Sequence, residues 1–195
     1  MTDLPAGLAP ATVVVTSGRP ARTPGSPVNP PIELSSTYAA HPALGPDGVA
    51  TNLGYGRASN ATWQAFEEAV GALEGGAALC FASGMAAISA ALTVLPADGP
   101  LVAPLTPYNT SGALIGELEA AGRVVRRVDV EDTTGVVAAL DGARAIWLES
   151  PTNPLMQVAD LPVIIREANA RGVVVVCDNT FATPLLQQPL ALGAD

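Results

Sequence analysis

Four valines and a cysteine, Val173 to Cys177, run straight into Asp178, Asn179 and Thr180. The run shows no apolar–polar alternation, so both faces of such a strand need cover. That is the habit of an inner strand in a parallel sheet. An acid at the edge of such a core costs free energy unless a cation or a hydrogen-bond donor meets it. A fold built on this strand has to bring a partner to Asp178.

The rest of the pattern points to the same kind of sheet. Asn60 or Ser59 can cap a helix whose apolar Trp63, Phe66, Val70 and Leu73 share one face, with Gly75 and Gly76 ending it. Ala77–Phe81 reads as a strand, and Ser83-Gly84-Met85 opens a helix running to Leu95. Further strands are expected at Leu101–Ala103, Val124–Val128 and Ala145–Leu148, with helices at Ser111–Ala121 and Val136–Leu140 between them. Asp160 caps a last helix with Pro162 in its first turn, which Arg171-Gly172 ends before the valine strand. Strands alternating with helices of this length predict an α/β fold, a mostly parallel sheet with helices on both faces.

Residues 1–58 are different. They are rich in Pro, Gly, Ser and Thr, most densely in PGSPVNPP, and read as an extended N-terminal arm ahead of a packed domain over 59–195.

Charge and composition remove several function classes. A net charge of −9 argues against a nucleic-acid surface, which needs a clustered basic face. No apolar run reaches the length of a membrane span, and MTDLPAGLAP lacks the basic and apolar regions of a secretory signal, so a cytoplasmic protein is expected. The two cysteines, Cys80 and Cys177, fall in apolar runs and read as buried thiols. The single histidine, His41, lies in the arm, which leaves no Ser-His or Cys-His pair near the strand ends, and no spacing suggests a metal. All nine basic residues are arginines, and no lysine occurs.

Open α/β sheets bind ligands outside the carboxyl ends of their strands. Those ends carry Ser83, Gly84 and Met85; then Tyr108; then Glu149 to Asn153; then Asp178 to Thr180. Taken singly, most have an ordinary reading. Gly84 can be helix-start geometry, Tyr108 a packed loop ring, Asn153 turn chemistry and Asp178 a turn cap. Gathered on one edge, they offer an anion site at a helix start, an aromatic face and an acid. A phosphorylated ring with a protonatable nitrogen suits that set, and pyridoxal 5′-phosphate fits it, with the acid keeping the pyridine nitrogen protonated.

YGRASNAT (Tyr55–Thr62), LEGG (Leu73–Gly76), ASGMAAI (Ala82–Ile88), ESPTNP (Glu149–Pro154), DNTFATP (Asp178–Pro184) and QPLALGAD (Gln188–Asp195) occur in this order. In this the chain resembles the cystathionine gamma-synthase family, the fold-type I pyridoxal-phosphate enzymes of cysteine and methionine metabolism. The resemblance implies the large domain of a three-layer, aspartate-aminotransferase-like fold. It implies that Tyr55 and Arg57 reach the phosphate of a neighbouring subunit's cofactor, that Gly84 and Met85 hold the phosphate through backbone amides, and that Tyr108 stacks on the ring and helps in proton transfer. It further puts Asn153 near the ring hydroxyl, Asp178 on the pyridine nitrogen and Thr180 close to the ring. A homodimer or homotetramer and an amino-acid substrate follow from the same likeness.

The chain departs from the family pattern in two ways. Ala61 stands where the family's N-P-T stretch has a proline, which loosens the turn. The family's Schiff-base lysine falls in an S-x-T-K stretch beyond the position of Asp195, and its C-terminal domain follows, so the sequence reads as an N-terminal fragment that is inactive alone. For the parent, the resemblance implies γ-elimination or γ-replacement on sulfur-containing or O-acylated amino acids, of gamma-synthase or gamma-lyase type. A sulfhydrylase, a methionine gamma-lyase, an aminotransferase-like enzyme and a non-catalytic remnant stay open as alternatives.

Overall fold

The computed structural model describes residues 7–39 and 54–195. His41 and part of the arm lie outside the described residues. The chain forms two compact units, Met1–Cys80 and Phe81–Asp195.

In the first unit, helix α1 (Pro10–Thr16) packs on helix α2 (Ala61–Glu74). The N-terminal segment is therefore not wholly extended. Pro10 fits the first helical turn, where its missing N–H costs nothing; of the helix's valines Val13 is half-buried, while Val14 and Val15 are exposed. Gly18 at φ +68° lets the chain leave α1 against α2, because a Cβ there would run into the Ala65 carbonyl. Asn60 caps α2 by accepting from the Thr62 amide at 2.8 Å, so the cap forms with Ala61 in place of proline. Gly75 closes the helix in the left-handed conformation at φ +77°.

The expected strand at Ala77–Phe81 is not formed. A strand needs a hydrogen-bonded neighbour, and no described segment pairs with this run. Leu79 is accordingly exposed.

The second unit is an α/β sheet in three layers. Helix α3 (Gly84–Val94) precedes strand β1 (Leu101–Pro104), helix α4 (Asn109–Ala120), strand β2 (Val125–Val128) and helix α5 (Thr133–Ala139). Strand β3 (Ala145–Glu149), helix α6 (Leu161–Ala170), strand β4 (Val174–Asp178), a short helix α7 (Thr183–Leu186) and a 3₁₀ turn (Leu190–Leu192) complete it. The strands are parallel and ordered β2-β1-β3-β4.

Side-chain alternation explains the layers. Ala145 and Trp147 of β3 join Leu101 and Ala103 of β1 in a cluster with Leu92, Leu95 and Ile115 on the α3 and α4 side. Ile146 and Leu148 face the other way and pack with Val102, Val136, Leu140, Leu161, Ile164 and Ile165, on the α5 and α6 side. Burying each such Leu or Ile contributes about 1.5–3 kcal/mol.

The chain moves from β1 outward to β2 and then back past β1 to β3. Right-handed crossovers in opposite directions place α4 on one face and α5 on the other, opening a crevice between the carboxyl ends of β1 and β3.

One strand expectation needs correction. The valine strand is the edge of the four described strands, not an inner one, and Val174, Val176 and Cys177 are only half-buried. Asp195 meets its outer edge: its amide donates to the Val175 carbonyl at 3.0 Å and its carboxylate accepts from the Val175 amide at 2.9 Å. The thiols correct in the same sense. Cys80 and Cys177 form no disulfide and are half-buried rather than sealed in the core, Cys80 because its run joins no described strand and Cys177 because it stands on the sheet edge.

Candidate active site

Alternation also decides which strand-end residues meet. Glu149 follows Ala145 and Trp147 on the α3 and α4 face of β3. Asp178 follows Val174 and Val176, which lean on the same cluster. Glu149 and Asp178 are register partners across β3 and β4, so both acids arrive at one end of one face. Helix α3 begins on that face.

Together these elements line a cleft of about 360 Å³. Its walls include Gly84 and Met85 at the start of α3, Tyr108 after β1, Asn153 and Glu149 from β3 and its turn, and Asp178, Thr180 and Phe181 after β4. Six of the eight expected site residues therefore come together: Gly84, Met85, Tyr108, Asn153, Asp178 and Thr180. The other two, Tyr55 and Arg57, belong to the first unit. Thr37 and Tyr55 form an isolated antiparallel bridge there, and Tyr55 starts the turn that carries Arg57. Both side chains are exposed.

The helix start has donors to spare. Ser83 caps α3 by accepting from the Ala86 amide at 3.2 Å. The Ala86 and Ala87 amides also reach the Ser83 carbonyl, whereas the Gly84 and Met85 amides have no acceptor among the described residues. Two free amides at the positive end of an eleven-residue helix suit an anion. A Cβ at Gly84 would meet nothing within 4 Å, so the space before these amides is open.

Asp178 is held from one side only. Its Oδ1 accepts from the Thr180 amide at 3.1 Å and from the Thr180 hydroxyl at 2.5 Å. Its Oδ2 has no partner among the described residues and remains available to a donor in the cleft. Thr180 thus acts on Asp178, a link that spacing alone did not reveal. The Asn179 and Gln187 side chains pair at 2.8 Å, and Gln187 also donates to the Ser150 carbonyl at 2.8 Å, tying this segment to the turn after β3.

Glu149 was not singled out from the sequence, although ESPTNP contains it. It is 4% exposed. One carboxylate oxygen accepts from the Tyr108 amide and the other from the Asn153 amide, each at 2.7 Å. Burial pushes its carboxyl above the ordinary range against the pull of those two amides, and the nearby Asp178 charge adds to the rise.

A phosphorylated pyridine fits this donor set: two amides for an anion at one end, a carboxylate oxygen for a ring nitrogen at the other, and Tyr108 between the strand ends. Residues 11–195 match the family of Cys/Met metabolism PLP-dependent enzymes. The chain belongs to this family. It is 40% identical over 196 residues to a cystathionine gamma-synthase of Mycobacterium tuberculosis, covering 95% of this chain and 48% of that protein. A cystathionine beta-lyase of Lactococcus lactis subsp. cremoris is 36% identical over 177 residues, 89% of this chain and 45% of its own length. A crystal structure of a cystathione gamma lyase from Micromonospora echinospora superposes with a TM-score of 0.84 at 37% identity, over 97% of this chain and 50% of that one. The chain thus spans about half the length of the relatives it matches, and its fold is that of fold-type I pyridoxal-phosphate enzymes. Among the described residues, no helix is long and apolar enough to cross a membrane, and no cluster of His, Cys, Asp and Glu could hold a metal.

Proposed function

We propose that this chain carries the cofactor-binding part of a pyridoxal-phosphate-dependent transsulfuration enzyme, which acts on sulfur-containing or O-acylated amino acids by γ-elimination or γ-replacement. The observation that carries the reading is the pairing, in one cleft, of the free Gly84 and Met85 amides with the half-held Asp178 carboxylate. When bound, pyridoxal phosphate supplies an electron sink for negative charge at the substrate α-carbon. The chain's residues supply the rest. Gly84 and Met85 bind the phosphate, and Asp178 Oδ2 holds the proton on the ring nitrogen. Thr180 fixes the Asp178 carboxylate, and Asn153 in the cleft wall would meet the ring hydroxyl. Tyr108, which lines the cleft, would cover one face of a bound ring, with its hydroxyl available to pass a proton.

Tyr55 and Arg57 complete the phosphate site of a neighbouring subunit in a homodimer or homotetramer, since an arginine fork suits a phosphate. The covalent attachment of the cofactor requires a lysine, and this sequence contributes none. The protein works in the cytoplasm.

The test is to assay the complete protein that carries these residues with a γ-substituted amino acid, following release of the γ-substituent. Release that depends on added pyridoxal phosphate and is lost in Asp178→Asn supports the reading. Release independent of the cofactor refutes it.

A further inference from the structure

The two loops that bring Tyr108 and Asn153 to the cleft are thinly supported on their outer side. Pro107, Asn109, Pro154 and Leu155 from the same two loops line a second cavity of about 470 Å³. Tyr108 is 36% exposed and Leu155 59% exposed. Close packing therefore does not fix the distance between the loops, although packing is what normally holds side chains in place. A hydrogen bond from the Thr106 hydroxyl to the Gln157 side chain at 2.9 Å links the loops at the exposed rim. The buried link is Glu149, which reaches the Tyr108 amide with one oxygen and the Asn153 amide with the other.

We propose that Glu149 is the positioning residue of the cleft, a buried two-armed carboxylate that sets the Tyr108 loop against the Asn153 turn and so presents both to a bound ring. The proposal rests on the cofactor reading above and adds a residue to it. Glu149 does not take the ring nitrogen's part, because both of its oxygens are already used and Asp178 keeps one free. Nor does it touch the anion end of the cleft, which is built from the start of α3. Loss of the brace should therefore harm the ring site and spare the phosphate site.

Glutamine at this position separates those effects. Its side chain has one acceptor oxygen and presents an NH₂ group to the other amide, so one of the two loops loses its bond. In Glu149→Gln, amide hydrogen exchange followed by NMR without any ligand should show protection at Tyr108 or Asn153 falling by about tenfold. In Glu149→Ala both amides should lose it. Affinity for pyridoxal 5′-phosphate should fall by about tenfold, while affinity for inorganic phosphate stays at the wild-type value.

Unchanged exchange at both amides overturns the brace. An equal fall for pyridoxal phosphate and inorganic phosphate overturns the positioning role, because it marks general loosening. Exchange that rises as expected in the variants, beside a wild-type chain that takes up no pyridoxal phosphate, keeps the brace and instead defeats the cofactor reading.

Discussion

Glu149 and Asp178 stand opposite each other at the ends of neighbouring strands, yet of the two only Asp178 keeps a carboxylate oxygen without a donor among the described residues. The same residue class on the same face thus does two jobs. The buried acid is spent on the backbone, and the acid beside the sheet edge faces the cleft.

Replacing Asp178 by asparagine removes the charge but keeps the shape. A hydrogen bond to a charged group is worth about 1.5–3 kcal/mol, so affinity for pyridoxal 5′-phosphate should fall roughly 10- to 100-fold. Affinity for inorganic phosphate should not change. Calorimetric titration with both ligands checks this.

Thr180→Val deletes the hydroxyl bond to Asp178 Oδ1 and leaves the backbone bond. The carboxylate becomes freer to rotate, and the loss of about 1 kcal/mol should weaken cofactor binding roughly fivefold. Thr180→Ser should restore most of it. A serine variant as weak as the valine one would show that Thr180 acts by shape instead.

The anion end can be tested without unfolding the helix. Gly84 is the first residue of α3, where proline is tolerated, and Ser83 before it is already extended at φ −158°, ψ 159°. A Cβ there meets nothing. Gly84→Pro should therefore change stability by less than about 1 kcal/mol while removing one phosphate-facing amide. Phosphate affinity should drop roughly tenfold, measured by titration beside a urea unfolding curve.

Glu149 predicts a pH dependence with a definite sign. Burial raises its carboxyl above the ordinary 4.5, so the native state binds that proton more tightly than the unfolded chain. Stability should then fall as pH rises from 4.5 through the raised native value, and remain lower above it. Asp98 and Glu167 shift the opposite way, below their ordinary 3.8 and 4.5, and so act outside this window. Urea unfolding across the range should show the decline in wild type and a flatter profile in Glu149→Gln.

Much of this fold was legible because its signals are local. The Asn60 and Asp160 caps, Pro162 in the first turn of α6 and the apolar runs of β1 and β3 each depend on neighbours in sequence. What failed depends on distant partners. Ala77–Phe81 has a strand's composition but no strand beside it, and Val174–Asp178 looks like an inner strand yet forms the described edge. Helix α1 was masked by the surrounding Pro and Gly. In the site, residue type pointed to Asp178, Tyr108 and Gly84, which the fold brings to one cleft. The bonds from Thr180 to Asp178 and from two loops to Glu149 became visible only in the folded register.

The most direct test of the account is a titration of this chain with pyridoxal 5′-phosphate, followed by borohydride and peptide mapping. The account predicts saturable binding of one cofactor per chain, weakened by Asp178→Asn and by Gly84→Pro. It also predicts no reduced adduct at any internal residue, because the chain has no lysine and arginine stays protonated. The absence of saturable binding, or binding that both substitutions leave unchanged, would contradict the account.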